Sequence, residues 1–168
     1  MNASLILTLK LDAATHKFFD GLRQRYFPPE RNFLAAHLTL FHHLPGTELD
    51  KIRSDLQQFC AAYQEFSLNF PRWRFLGRGV AVAVESDELI ELRMSFARLW
   101  NDWLRPQDRQ KFQPHITVQN KVAPEEARRL YDDLAAQWQP ITGRAPGLSL
   151  WHYLGAEWKL EEDFLFGS

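Results

Sequence analysis

Apolar and polar positions along this chain mark an alternation of strands and helices that runs through nearly twice. Ser4 to Leu11 (SLILTLKL) is rich in β-formers and alternates toward its end, which predicts a strand. Asp12 is placed to cap a helix over Ala13 to about Tyr26, which Pro28-Pro29 closes. A second strand is expected over about Ala35 to His42. Pro45-Gly46 ends it, and Thr47 is placed to cap a helix reaching about Tyr63. Glu65 to Leu76 is aromatic and β-like, Gly77-Arg78-Gly79 reads as a hairpin turn, and Val80 to Glu85 as a strand. Ser86 or Asp87 caps a predicted helix over Glu88 to Leu104, ending near Pro106. A strand follows over about His115 to Val122. Pro124, with Glu125 and Glu126 in the first turn, opens a helix to about Trp138. Leu148 to Leu154 and Glu157 to Phe166 form the last predicted hairpin, around Gly155-Ala156.

The two passes correspond at an offset of 78 residues, with the helices 47–63 and 124–138 superposing. That period is too long for a solenoid. It predicts one domain over 1–168 whose halves, about 1–78 and 79–168, form two related lobes closing on a cleft, a common place for ligands.

Composition narrows the partners. At 168 residues, with 45% hydrophobic and 24% charged residues, the chain has the make-up of one globular domain. A net charge of −1 argues against broad electrostatic binding to long nucleic acids and favours a small or short substrate. Cys60 is the one cysteine, so no intrachain disulfide forms, which fits a reducing cytosol. No apolar run approaches transmembrane length, and no basic segment precedes the short apolar run at the N-terminus. The expectation is a cytoplasmic monomer with no membrane association and no obligate protein partner.

Two tripeptides carry the chemistry: His37-Leu38-Thr39 and His115-Ile116-Thr117. Six histidines and six threonines placed at random would give about 0.2 such matches, so two is a motif signal. In a strand, residues i and i+2 share a face. Each unit therefore presents an imidazole beside a hydroxyl and turns its middle residue into the core. An imidazole takes or gives a proton near neutral pH, and two flanking one atom can divide the roles of base and acid. Threonine hydroxyls suit non-bridging phosphate oxygens. The set fits in-line displacement at phosphorus without a metal or any other cofactor.

On these residues the chain resembles the 2H phosphoesterase superfamily, the group with LigT-like 2′-5′ RNA ligases and 2′,3′-cyclic phosphodiesterases. Its signature is a pair of His-x-Thr/Ser-x motifs with apolar x. Here they stand as His37-Leu-Thr-Leu40 and His115-Ile-Thr-Val118, the second preceded by Pro114. The resemblance covers nearly the whole chain. It implies an α+β bilobal fold with two antiparallel-rich sheets around a central cleft and helices outside. It also implies metal-independent hydrolysis of cyclic or 2′-5′ phosphodiesters of nucleotides or RNA ends. His37 and His115 match the catalytic histidines, and Thr39 and Thr117 the phosphate-binding hydroxyls. The resemblance makes His115 the base for water and His37 the acid. Two other readings use the same four residues: 2′-5′ RNA ligation, and a nucleotide- or RNA-end-binding module with little turnover. The first motif continues Phe41-His42-His43, richer in histidine than the usual pattern.

Strict alternation adds Phe41 and His43 to the His37 face, and Gln119 and Lys121 to the His115 face. They are read either as a base-stacking ring with polar substrate contacts, or as a core residue and solvated strand ends. His42 and His43 point to opposite faces and make poor partners for one metal. In Arg72-Trp73-Arg74 the arginines share a face and the indole lies opposite. Arg74 is a candidate phosphate contact, with a solvated edge strand as the alternative. Tyr153, in Trp151-His152-Tyr153, is a candidate cleft-facing aromatic.

Overall fold

The computed structural model describes residues 3–167 as an α+β fold in which every strand pairing is antiparallel. Its elements are β1 (Leu5–Lys10), α1 (Ala13–Tyr26), β2 (Leu38–Leu44), α2 (Leu49–Ala62), β3 (Phe66–Phe70), β4 (Trp73–Phe75), β5 (Val80–Ala83) and α3 (Asp87–Leu99). Then follow α4 (Pro106–Arg109), β6 (His115–Gln119), α5 (Pro124–Gln137), β7 (Ile141–Ala145), β8 (Gly147–Tyr153) and β9 (Trp158–Leu165).

Local signals set several boundaries. The Asp12 carboxylate accepts from the Thr15 amide at 3.2 Å and starts α1, and the Ser86 hydroxyl does the same for α3 through the Leu89 amide at 3.2 Å. Other expectations are corrected. Thr47 caps nothing; it sits in a 3-10 turn over Gly46–Glu48, and α2 begins at Leu49. Pro71 splits the aromatic stretch into β3 and β4. The third long helix stops at Leu99, leaving 100–112 as short turns that include α4. Strand β7 is not foreseen, because its midpoint is Gly143. A side chain there would strike Thr15 Oγ1 of α1, so the glycine marks a close approach.

One sheet has the order β2-β1-β8-β9. The other strands form a β4-β5-β6 sheet and a β3-β7 pair, joined where Asn69 and Glu85 exchange backbone hydrogen bonds at 3.0 and 2.8 Å. Each sheet ends in a motif strand, β2 or β6, and these two edges approach within 8 Å, Cα to Cα. The lobes are not the sequence halves. Strands β8 and β9, from the second half, complete the sheet of β2, while β4, from the first half, belongs to that of β6. The crossover helices are exchanged as well. Helix α1 packs on β6, and α3 sets Arg93 over the Phe41 ring of β2, with Trp100, just past the end of α3, packed on the same ring. A connecting helix that covers the opposite sheet ties both lobes into one continuous core.

Candidate active site

In both motifs the apolar positions are fully buried: Leu38 and Leu40 in β2, Ile116 and Val118 in β6. His37, Thr39, His115 and Thr117 occupy the alternate positions and stay half-buried. This is the face division that alternation requires.

The histidines are held in the same way. His37 Nδ1 lies 2.8 Å from the Ala35 carbonyl oxygen, and His115 Nδ1 lies 2.8 Å from that of Gln113. A carbonyl only accepts, so each Nδ1 carries the proton and each Nε2 keeps a free lone pair. Thr39 of the first motif and His115 of the second line one cavity of about 270 Å³, so the two units serve one cleft. His37 lines a neighbouring cavity of about 430 Å³ with Thr8 and Trp151. A third cavity, of about 790 Å³, shares Arg93, Asp108 and Lys111 with the cleft but holds neither motif histidine.

Burial pushes the His37 pKa down to about 4, and the charges of Arg23, His115 and His42 add to this, against the stabilising bond to the Ala35 carbonyl. His115 is also lowered, first by burial and then by Arg74 and His42. Both imidazoles are therefore neutral at neutral pH. Because the unfolded chain binds these protons more readily than the folded one, their contribution is complete above about pH 6.5 and is lost as pH falls toward 4. Thermal unfolding should consequently fall in midpoint from pH 7 to pH 4. His37→Gln should flatten that slope, and a slope unchanged by the substitution would contradict the assignment.

A β-bulge follows each threonine. Leu7 pairs with Phe41 but Thr8 with Thr39, leaving Leu40 extra; Val80 pairs with Gln119 but Ala81 with Thr117, leaving Val118 extra. An extra residue inverts the alternation beyond it. Four expected substrate contacts are corrected, Phe41 and Gln119 by these bulges, His43 by a second register shift between Phe41 and Leu44, and Lys121 because β6 ends before it. Phe41 is 0% exposed and packs against Trp100, and Gln119 is buried at 3% exposure. His43 is absent from the lining of both cavities that hold the histidines, and its Nδ1 is buried without a hydrogen-bond partner. Lys121 lies beyond the end of β6, exposed, with φ of 64°. His42 takes the place in the cleft instead.

Arg74 does reach the cleft, with Nη2 donating to Gln113 Oε1 at 2.9 Å. Its Nη1 is 3.5 Å from His115 Nδ1, but that nitrogen already donates to Gln113, so the contact is one of charge. Trp73 is buried opposite, as expected. Tyr153 is exposed and lines neither cavity. The aromatic beside His37 is Trp158, Tyr153's partner across the β8-β9 hairpin, at 4.8 Å between ring centroids.

Two arginines behind the motifs escaped sequence reasoning. Arg23 of α1 donates to the Thr117 carbonyl at 3.1 Å, and Arg93 of α3 donates to the Leu40 carbonyl at 2.7 Å. Both are buried. An arginine on the inward face of each predicted crossover helix was the available signal. Among the described residues no group of three or more His, Cys, Asp or Glu is placed to hold a metal ion, and no helix is long and apolar enough to cross a membrane.

A family model described as the 2′-5′ RNA ligase superfamily matches residues 11–157. Among solved structures, the chain is similar to TT0787 of Thermus thermophilus, with a TM-score of 0.68 at 15% identity over 98% of each chain. It is similar to E. coli LigT complexed with 3′-AMP, with a TM-score of 0.62 at 18% identity over 100% of both chains. A structure described as a phosphoesterase gives a TM-score of 0.62 at 19% identity over 99% of each chain. No curated protein matches.

Proposed function

The chain belongs to the 2′-5′ RNA ligase superfamily, the 2H phosphoesterase group, and from that premise we propose that it is a metal-independent phosphodiesterase opening 2′,3′-cyclic phosphates or 2′-5′ linkages of nucleotides or RNA ends. The observation that carries this reading is the matched pair of imidazoles. Each has Nδ1 bound to the carbonyl two residues back and Nε2 free, on strand edges that approach within 8 Å, Cα to Cα.

In the proposed reaction, water attacks phosphorus in line with the leaving ribose oxygen. His115 Nε2 takes the proton from water as the new P–O bond forms. His37 Nε2 gives a proton to the ribose oxygen as the old P–O bond breaks. The Thr39 and Thr117 hydroxyls donate to the non-bridging oxygens, where negative charge develops. Both rings are neutral at neutral pH, so His37 acquires its proton as the phosphate anion arrives and offsets the cost of burial and the repulsion from Arg23. With one histidine acting as base and the other as acid, the pH–rate profile should be bell-shaped. The fold is similar to that of LigT, which has been crystallised with 3′-AMP, a molecule related to the expected products.

The purified protein, assayed in EDTA with 2′,3′-cyclic AMP and a 2′-5′-linked dinucleotide, should hydrolyse at least one, with phosphorus NMR identifying the oxygen that keeps the phosphate. No turnover of either substrate, with or without EDTA, would overturn the reading.

A further inference from the structure

His42 has no part in the two-histidine chemistry, yet it lines the same cavity as Thr39 and His115. The bulge at Leu40 turns it toward the cleft. Its Nδ1 lies 3.0 Å from Asp108 Oδ1, and the same carboxylate accepts from the backbone amides of His42 and His43 at 2.9 Å. The Asp108 side chain is 1% exposed, whereas that of His42 is 44% exposed. A buried carboxylate thus fixes one edge of the ring and leaves Nε2 facing outward. At the equivalent position of the second motif stands Asn120, whose side-chain oxygen is taken by the Lys121 amide at 2.9 Å. The histidine therefore breaks the symmetry of an otherwise duplicated site.

Its neighbours are cationic. Arg74 and Lys111 line the same cavity, and Asp108 is the one carboxylate lining it among the described residues. The Asp108 oxygens accept from the His42 ring and the two amides, and neither forms an ion pair with Arg74 or Lys111, so one carboxylate faces more than one cation along this wall. Donors in excess of acceptors, on a wet wall, fit an anion. The reacting phosphate already has Thr39, Thr117 and the two motif histidines. His42 lies three residues past Thr39, roughly 10 Å along the strand before shortening by the bulge, which is of the order of one nucleoside.

Building on the phosphodiesterase reading above, we propose that His42, Arg74 and Lys111 form a second anion subsite. It holds a phosphate other than the one undergoing reaction. The substrate is then a cyclic phosphodiester that carries a further phosphate, either a 5′-phosphate on the same nucleoside or the linkage to a preceding nucleotide. With a phosphate oxygen at Nε2, both ring nitrogens of His42 donate, one to Asp108 and one to the ligand.

The test compares adenosine 2′,3′-cyclic phosphate, its 5′-phosphorylated form, and the dinucleotide ApA ending in a 2′,3′-cyclic phosphate. Wild type should favour at least one phosphate-bearing substrate over the bare one by tenfold or more in kcat/KM, mainly through KM. Whichever arm gains identifies the source of the second phosphate. His42→Asn, and separately Lys111→Ala at an exposed position with little folding liability, should each bring that ratio to within about threefold of one. Calorimetric binding of adenosine 3′,5′-bisphosphate against 3′-AMP reads the subsite without turnover, and its preference should shrink in the same variants. Equal kcat/KM and equal binding in wild type, or a preference that both variants retain, would overturn the subsite. Absence of turnover with a preference for the bisphosphate that the variants abolish would overturn the reaction and keep the subsite.

Discussion

Asparagine at either His37 or His115 lowers kcat by about 10²- to 10⁴-fold, the usual range for losing a positioned general acid or base. Asparagine keeps a short amide that can still donate to the carbonyl of Ala35 or Gln113, so the strand edge holds, but it has no group that moves a proton in the pH range of the reaction. The loss should fall on kcat more than on KM, because the threonine hydroxyls and the cationic wall proposed to bind phosphate are untouched. The double variant should be little slower than the weaker single one, since the two histidines act on one displacement and their effects do not add. Single-turnover kinetics on a 2′,3′-cyclic nucleotide, with circular dichroism to confirm folding, checks this. Activity within a few-fold of wild type in either variant would refute the two-histidine mechanism. The pH limbs report the assignment further: each single variant should lose one side of the bell, and the side lost distinguishes acid from base.

The parts of this site that could be read from sequence are those governed by short-range rules. The apolar x positions of both motifs had to be core, and Leu38, Leu40, Ile116 and Val118 are. Asp12 had the right chemistry to start α1, and Ser86 to start α3. What failed did so for one local and one global reason. Locally, period-two alternation was carried through Leu40 and Val118, where each strand gains a residue against its neighbour. The extra residue displaces Phe41 and Gln119 and brings His42 into the cleft, while His43 falls in a second register shift between Phe41 and Leu44, and Lys121 lies past the end of β6. The matching bulges at an offset of 78 residues belong to the duplication, so one correction serves both motifs. Globally, sequence proximity suggested that each half folds into its own lobe. The chain instead sends α1 to β6 and α3 to β2, and nothing in local propensity reports which sheet an amphipathic helix will cover. Trp158 was missed for the same kind of reason: it belongs to β9, far in sequence from the His37 it packs against.

The exchange of helices also shows where the largest stability effect lies. Arg93 is 7% exposed, and its guanidinium joins three pieces of structure. Nε donates to the Leu40 carbonyl at 2.7 Å, which is the bulge itself, and Nη2 donates to the Asp108 carbonyl at 2.7 Å. Its central carbon sits 3.9 Å from the centroid of the buried Phe41 ring. Arg93→Ala would leave two buried carbonyls without a donor, at about 1–3 kcal/mol each, and open a void beneath Phe41. A destabilisation of about 3 kcal/mol or more is expected, lowering Tm by roughly 6–12 °C for a chain of this size. Arg72→Ala, which breaks the exposed pair with Glu85 at 3.0 Å, should cost under about 1 kcal/mol and serves as the contrast. Differential scanning calorimetry separates the two, and a loss for Arg93→Ala no larger than that for Arg72→Ala would refute the structural role. Below its lowered Tm the variant should also bind substrate worse. The same side chain fixes both the bulge that aims His42 and the turn that carries Asp108, so loosening it disturbs the cationic wall while leaving His115, held from β6, in place.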